Sequence, residues 1–123
     1  MTMIPLRLAL ISNDRETLDG VKDYFERAGA RLRATNRLEE ASDTAAGAEA
    51  VVFFADDYPL EEARAAVAGL SVRLVVIVTA DVAAFNACRK GRASAERIVV
   101  LPRPAWGWVL LEAIRASQPS LGY

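Results

Sequence analysis

Four short stretches carry the side chains that could do chemistry, and each follows an apolar run. "VVFFADDYP" (51–59) ends on Asp56 and Asp57, just before Pro59. "LRLALIS" (6–12) is followed by Asn13 and Asp14, "RLVVIVTA" runs into Asp81, and "RIVVLP" into Arg103 and Pro104. A carboxylate in such a setting could accept a phosphoryl group, and Asp14 with Asp56 could help hold a divalent cation. Aspartates in loops also cap helices and carry solvated charge, and that reading is favoured here over a designed metal site. Other chemistries are closed to the chain. It has no histidine, so neither a Ser-His nor a Cys-His nucleophile can be built. Its single cysteine, Cys88, excludes an internal disulfide framework and fits a reducing cytosol; its expected place is the core.

These turns need a scaffold, and the chain alternates strand-like and helix-like patterns throughout. "LRLALIS" reads as a short buried strand, followed by a helix with Leu18, Val21, Phe25 and Ala28 on one stripe and Gly29 near its end. "RLRATN" alternates charge and is expected at a sheet edge; "RLEEASDTAAG" is a weaker helix closed by Gly47. "AVVFFA" is continuously apolar, as a strand buried on both faces must be. "PLEEARAAVAGL" follows, with Pro59 in its first turn and Leu60, Ala63, Val67 and Leu70 facing inward. "RLVVIVTA", the helix "DVAAFNACRKGRA", "RIVVLP" and the helix "AWGWVLLEAIRAS" complete the series. The expectation is one α/β domain over residues 1–123, a (βα)5 fold with a parallel five-stranded sheet covered on both faces. Residues 116–123 are expected to fray.

In such a sheet, ligands gather beyond the carboxyl ends of the strands, so the residues just past each strand are the ones to inspect. "SNDRET" has no glycine, which removes the dinucleotide fingerprint and the P-loop. It is also too acidic to cradle a flavin phosphate. The net charge of −1 gives no electrostatic footprint for nucleic acid, and no apolar run is long enough to cross a membrane.

At these turns the chain resembles the receiver domain of bacterial two-component response regulators, over nearly its whole length, and the resemblance implies a flavodoxin-like, doubly wound sheet in the order 2-1-3-4-5. "VIVTA" matches the family's fourth-strand turn and places Thr79 at its hydroxyl position. "VVLPRPAW" matches the fifth, placing Arg103 where the family has lysine and Pro104 after it, with a cis bond expected between them. The family's acidic pair falls on Ser12 and Asn13, leaving Asp14 in third place. Its phospho-accepting aspartate lies four residues before a loop proline. Counting back from Pro59 gives Ala55, which cannot accept a phosphoryl group. Asp56 takes the place only if the strand slides by one residue or carries a bulge, and a buried strand resists sliding. Arg103 swaps a mobile ammonium for a planar fork and is expected to pair with Asp14, Asp56 or Asp57. Val100 replaces the aromatic residue of the family's switch. Asn13 or Asp14 can cap the first helix, and Asn13 with Glu16 would make a capping box.

The resemblance therefore implies a degenerate pocket made of Ser12, Asn13, Asp14, Ala55, Asp56, Thr79, Arg103 and Pro104, with no catalytic role, no cofactor and no required metal. Were the pocket active, Asp14 and Asp56 would hold magnesium. Function would pass to surfaces. "PAWGWVLLEAI" puts Trp106, Trp108 and Val109 at the start of the last helix, and Arg89, Lys90 and Arg92 lie on the neighbouring helix end. One tryptophan is expected to fold inward over the core and the other to meet a partner. That partner would be another protein or a second copy, bound through the fourth-helix, fifth-strand and fifth-helix face. The expected function is a phosphorylation-independent pseudo-receiver of a cytoplasmic bacterial signalling system. The alternatives are a phosphorylatable receiver using Asp56 with magnesium and, further off, a small-ligand binder on the same scaffold.

Overall fold

Val51, Val52 and Phe53 expose no surface at all, so the strand that carries them must be covered on both faces. The computed structural model, which describes residues 6–90 and 97–117 (without the side chains of 87–90 and 117), shows how. Strands β1 (Arg7–Ile11), β2 (Arg31–Thr35), β3 (Ala50–Phe54), β4 (Leu74–Thr79) and β5 (Arg97–Pro102) form one parallel sheet in the order β2-β1-β3-β4-β5. Helices α1 (Arg15–Arg27), α2 (Ala41–Ala45), α3 (Leu60–Gly69), α4 (Val82–Lys90) and α5 (Gly107–Ser117) alternate with the strands. The flavodoxin-like order implied by the resemblance is the one observed.

The two-residue period of each strand sorts its side chains into two cores. Ile11, Val51, Phe53, Val75 and Ile77 pack with Ala63 and Val67 of α3 and Phe85 of α4. Leu10, Val52 and Val76 pack on the other face with Phe25 of α1 and with Leu110 and Ile114 of α5. Helices α1 and α5 therefore share one face of the sheet, and α2, α3 and α4 the other. This division decides which helices border the site.

β2 lies at the edge, with Arg31 and Arg33 exposed, as charge on an edge strand should be. Gly29 closes α1 with φ near 92°, a conformation that costs glycine little. Three expectations need correction. Ala28 is the exposed C-cap of α1 rather than part of its buried stripe, because the chain is already leaving the helix there. Leu60 is 44% exposed, since it opens α3 at the rim, before the helix reaches the sheet. Of the segment 116–123 expected to fray, residues 116 and 117 belong to α5, and 118–123 lie outside the described residues. The core placement of Cys88 and the basic side chains Arg89, Lys90 and Arg92 lie outside the described residues.

Candidate functional site

β3 and β4 keep their register to the last pair, Phe54 opposite Val78, so the next residues at one level are Ala55 and Thr79. Ala55 continues the alternation of Val51 and Phe53 and is buried in the same core. The strand has not slid. Residues Ala55–Asp57 instead form one turn of 3-10 helix, closed by the Tyr58 N–H bonding to the Ala55 carbonyl at 3.2 Å. That turn swings Asp56 over the end of β4. The Thr79 hydroxyl donates to Asp56 Oδ1 at 2.6 Å, and the Ala80 N–H donates to Oδ2 at 2.8 Å. Arg103 Nη1 stands 3.4 Å from the same Oδ2. Asp56 thus reaches Thr79 through a tight turn, while β3 keeps its register and Ala55 its level.

Asp56 is therefore the anion inside a cradle of one hydroxyl, one backbone amide and one guanidinium. Thr79 is fully buried and holds its hydroxyl in place by also accepting from the Asp81 N–H at 3.0 Å. Burial works against ionisation of Asp56, but the bonds from Thr79 and Ala80 and the pairing with Arg103 together outweigh it. Its pKa falls below the ordinary carboxylate value.

The neighbouring turn is held by Asp57, whose Oδ2 accepts from the Ser12 hydroxyl and, at 3.0 Å, from the Asn13 N–H. Ser12 is fully buried and accepts in turn from the Asp14 N–H at 3.1 Å. Asp14, not Asn13, caps α1: its carboxylate accepts from the Glu16 N–H at 3.1 Å and from the Thr17 hydroxyl at 2.9 Å. The capping box of Asn13 with Glu16 gives way to this shorter local bond. Tyr58 stacks on Phe53 and donates its hydroxyl to the Asn36 carbonyl at 2.9 Å. Burial, aided by the charge of Asp57, pushes its phenol up to about 12. The Arg103–Pro104 bond is cis, as expected.

A receiver-like fold raises the question of a divalent ion. Asp14 is spent on a helix cap, Asp57 on the first-strand turn, and both oxygens of Asp56 on the cradle. No group of three His, Cys, Asp or Glu side chains converges among the described residues. In this arrangement the residues present do not fit such an ion.

Trp106 and Trp108 depart from expectation together. Neither folds inward; they are 55% and 57% exposed and stack on one another, ring centroids 5.7 Å apart and 9° from parallel. The space over the start of α5 is taken by Tyr24 of α1, which lies so close that a Cβ on Gly107 would meet its ring at 2.7 Å. The tryptophans border a cleft of about 430 Å³ between α1 and the segment that runs from Arg103 into the start of α5. Glu16, Tyr24, Asp56, Asp57 and Arg103 line the same cleft, and Val109 is half-buried beside it in sequence. Sequence reasoning missed Tyr24 and Glu16. A glycine between two tryptophans at a helix start is the signal that could have pointed to a close neighbour.

No protein-family model matches the chain, and no curated protein matches it. Solved structures do. The chemotaxis response regulator CheY4 of Vibrio cholerae superposes with a TM-score of 0.70 at 15% identity, covering 94% of this chain and all of that one (100%). A two-component response regulator from Clostridium difficile gives 0.68 at 12%, covering 91% and 94%. A response regulator receiver domain protein from Bacillus halodurans gives 0.64 at 16%, covering 95% and 100%. At such identities the likeness concerns the fold, and it agrees with the strand order, the helix placement and the turns described above. The chain has the fold of the receiver domains of two-component response regulators.

Proposed function

We propose that the chain is a pseudo-receiver, a protein-interaction module of a two-component-type signalling system that works without phosphorylation and without catalysis. One observation carries this reading. The hydroxyl, amide and cation that would greet a phosphoryl group already bind the carboxylate of Asp56. Ala55 stands at the level of Thr79, where the family's acceptor is expected, and the Asp56 carboxylate fills the place above it. A resident anion of this kind would hold the pocket permanently in its occupied form. Neutral Ser12 and Asn13 at the acidic pair support the reading, because phosphoryl transfer to a carboxylate needs a well-held divalent ion.

The contact of Asp56 with Thr79 and Arg103 also favours a second reading, in which Asp56 itself is the acceptor. One experiment separates the two: amide NMR of the chain titrated with magnesium and then with beryllofluoride, which imitates a phosphoryl group. The pseudo-receiver ignores both additions. Saturable shifts centred on Asp56, Thr79, Ala80 and Arg103 would overturn it in favour of a phosphorylatable receiver.

A further inference from the structure

Four of the five strands start on Arg-Leu or Arg-Ile. Arg7 opens β1, Arg31 opens β2, Arg97 opens β5, and Arg73 directly precedes β4. All strands run parallel, so these arginines gather at the amino edge of the sheet, at the end of the molecule opposite Asp56. Backbone hydrogen bonds fix their level. The Arg31 N–H donates to the Leu6 carbonyl at 2.8 Å, the Glu49 N–H to the Arg7 carbonyl at 2.8 Å, and the Arg97 N–H to the Arg73 carbonyl at 2.9 Å. At about 4.8 Å between strands, the row from β2 to β5 spans roughly 19 Å. All four arginines are exposed, and none makes an ion pair among the described residues. Glu49, one step before the registered pairs of Ala50 with Leu8 and Leu74, is the only carboxylate at that level among the described residues. Arg7 and Arg31 are direct partners in the register, and like charges so placed cost stability. Folding gains nothing from that pair; carboxylates brought by another molecule would relieve it.

The opposite edge is acidic. First turns there carry Glu16 in α1, Glu39 and Glu40 in the turn 38–40, and Glu61 and Glu62 in α3, all exposed. Helix dipoles favour carboxylates at these places, yet Glu16 and Glu62 have no side-chain partner among the described residues. Arg37, Arg64 and Arg103 at this edge are paired within the chain, and Arg15 is unpaired. With a net charge of only −1, the chain separates its charges rather than accumulating one sign.

We propose that the arginine edge of one copy meets the acidic edge of a second, joining molecules head to tail with their strands pointing the same way. The two surfaces differ, so the contact does not close on itself and adds copies in line. A symmetric contact would instead set arginines on arginines or carboxylates on carboxylates. Exposed ion pairs are individually weak and screened by salt, so the association belongs to high concentration and low ionic strength. It uses neither Asp56 nor Arg103 and is therefore separate from whether the pocket takes a phosphoryl group.

Sedimentation equilibrium up to about 1 mM protein, the range of so weak a contact, reads this directly. In about 10 mM salt the average mass should climb with concentration without levelling at a dimer, and in about 1 M salt it should fall to that of one chain. Arg31→Glu/Arg97→Glu and Glu16→Arg/Glu62→Arg should each be monomeric alone. An equimolar mixture of the two should form one-to-one pairs and stop there, because each pair has one working contact and two spent ends. Arg31→Glu by itself should weaken association and yet raise the urea midpoint, since it turns the like-charge pair with Arg7 into an opposite one. A chain that stays monomeric at low salt overturns the proposal, as does a mass that levels at a dimer or ignores salt. So does a mixture that fails to pair while circular dichroism shows both variants folded. Capture of a monomeric chain on phosphatidylserine vesicles would also overturn it and assign the arginine edge to a membrane.

Discussion

Asp56 sits one residue beyond the strand and still holds the end of β4, because a single 3-10 turn is short enough to bring its carboxylate back onto Thr79. Its lowered pKa makes it a source of stability at neutral pH. The sign follows from linkage: with the folded pKa below the unfolded value of about 3.9, the contribution is complete above that value. It is lost as the pH falls through the folded pKa. Asp56→Asn should therefore cost about 1.5–3 kcal/mol in urea unfolding at pH 7, the range for hydrogen bonds to a charged group. The gap to wild type should begin to narrow below about pH 4 and close once the pH has passed the folded pKa. A gap that persists unchanged into acid would mean that packing, not charge, holds the turn. Tyr58 tests the opposite sign. Its phenol is pushed up to about 12, so the neutral form stabilises the fold fully below the unfolded value near 10. That stability is lost as the pH rises toward the folded value. In alkaline difference absorbance Tyr58 should ionise last and together with unfolding, and Tyr58→Phe should remove that phase.

Among elements, the join of α1 to α5 depends on the missing side chain of Gly107. An alanine Cβ there would stand 2.7 Å from both Cγ and Cδ1 of Tyr24, close to the base of the ring, where a small rotation gives little relief. Gly107→Ala should cost about 1–3 kcal/mol, the usual penalty of overpacking. In a Tyr24→Ala background the same change should be neutral or slightly stabilising, since alanine is the better helix former. A double-mutant cycle by urea unfolding reads this directly, and additive costs would refute the close approach. The elements themselves were legible beforehand because their period was strong. The unbroken apolar run of 50–54 could only be a doubly buried strand, and the alternating charge of 31–33 could only suit an edge. Residues at element ends were less legible. Leu60 and Ala28 fit a helical stripe by spacing, yet they fall where the helix begins or ends and no neighbour covers them.

At the scale of the molecule, the two-sided sheet decides which helices can share a site. With α1 and α5 on one face, the tryptophans border the same cleft as Tyr24 and Glu16. Because both indoles are more than half exposed, Trp106→Ala and Trp108→Ala should each change unfolding free energy by less than about 0.5 kcal/mol. Acrylamide should quench both indoles readily in the native state. A large stability loss from either change would place that ring in the core instead. The alternation of strands and helices, the neutral residues at the acidic pair and the level of Ala55 with Thr79 were determined by the sequence alone, because burial period and register are local consequences of residue order, while the strand order came with the resemblance to a known family. Only the tertiary structure decided that Asp56 fills the cradle and that the tryptophans turn outward. The first depends on how a three-residue turn aims a side chain across strands, and the second on Tyr24, eighty-odd residues away, already occupying the space above Gly107. Neither contact leaves a periodic trace in the chain, since both join residues distant in sequence through space that other side chains define.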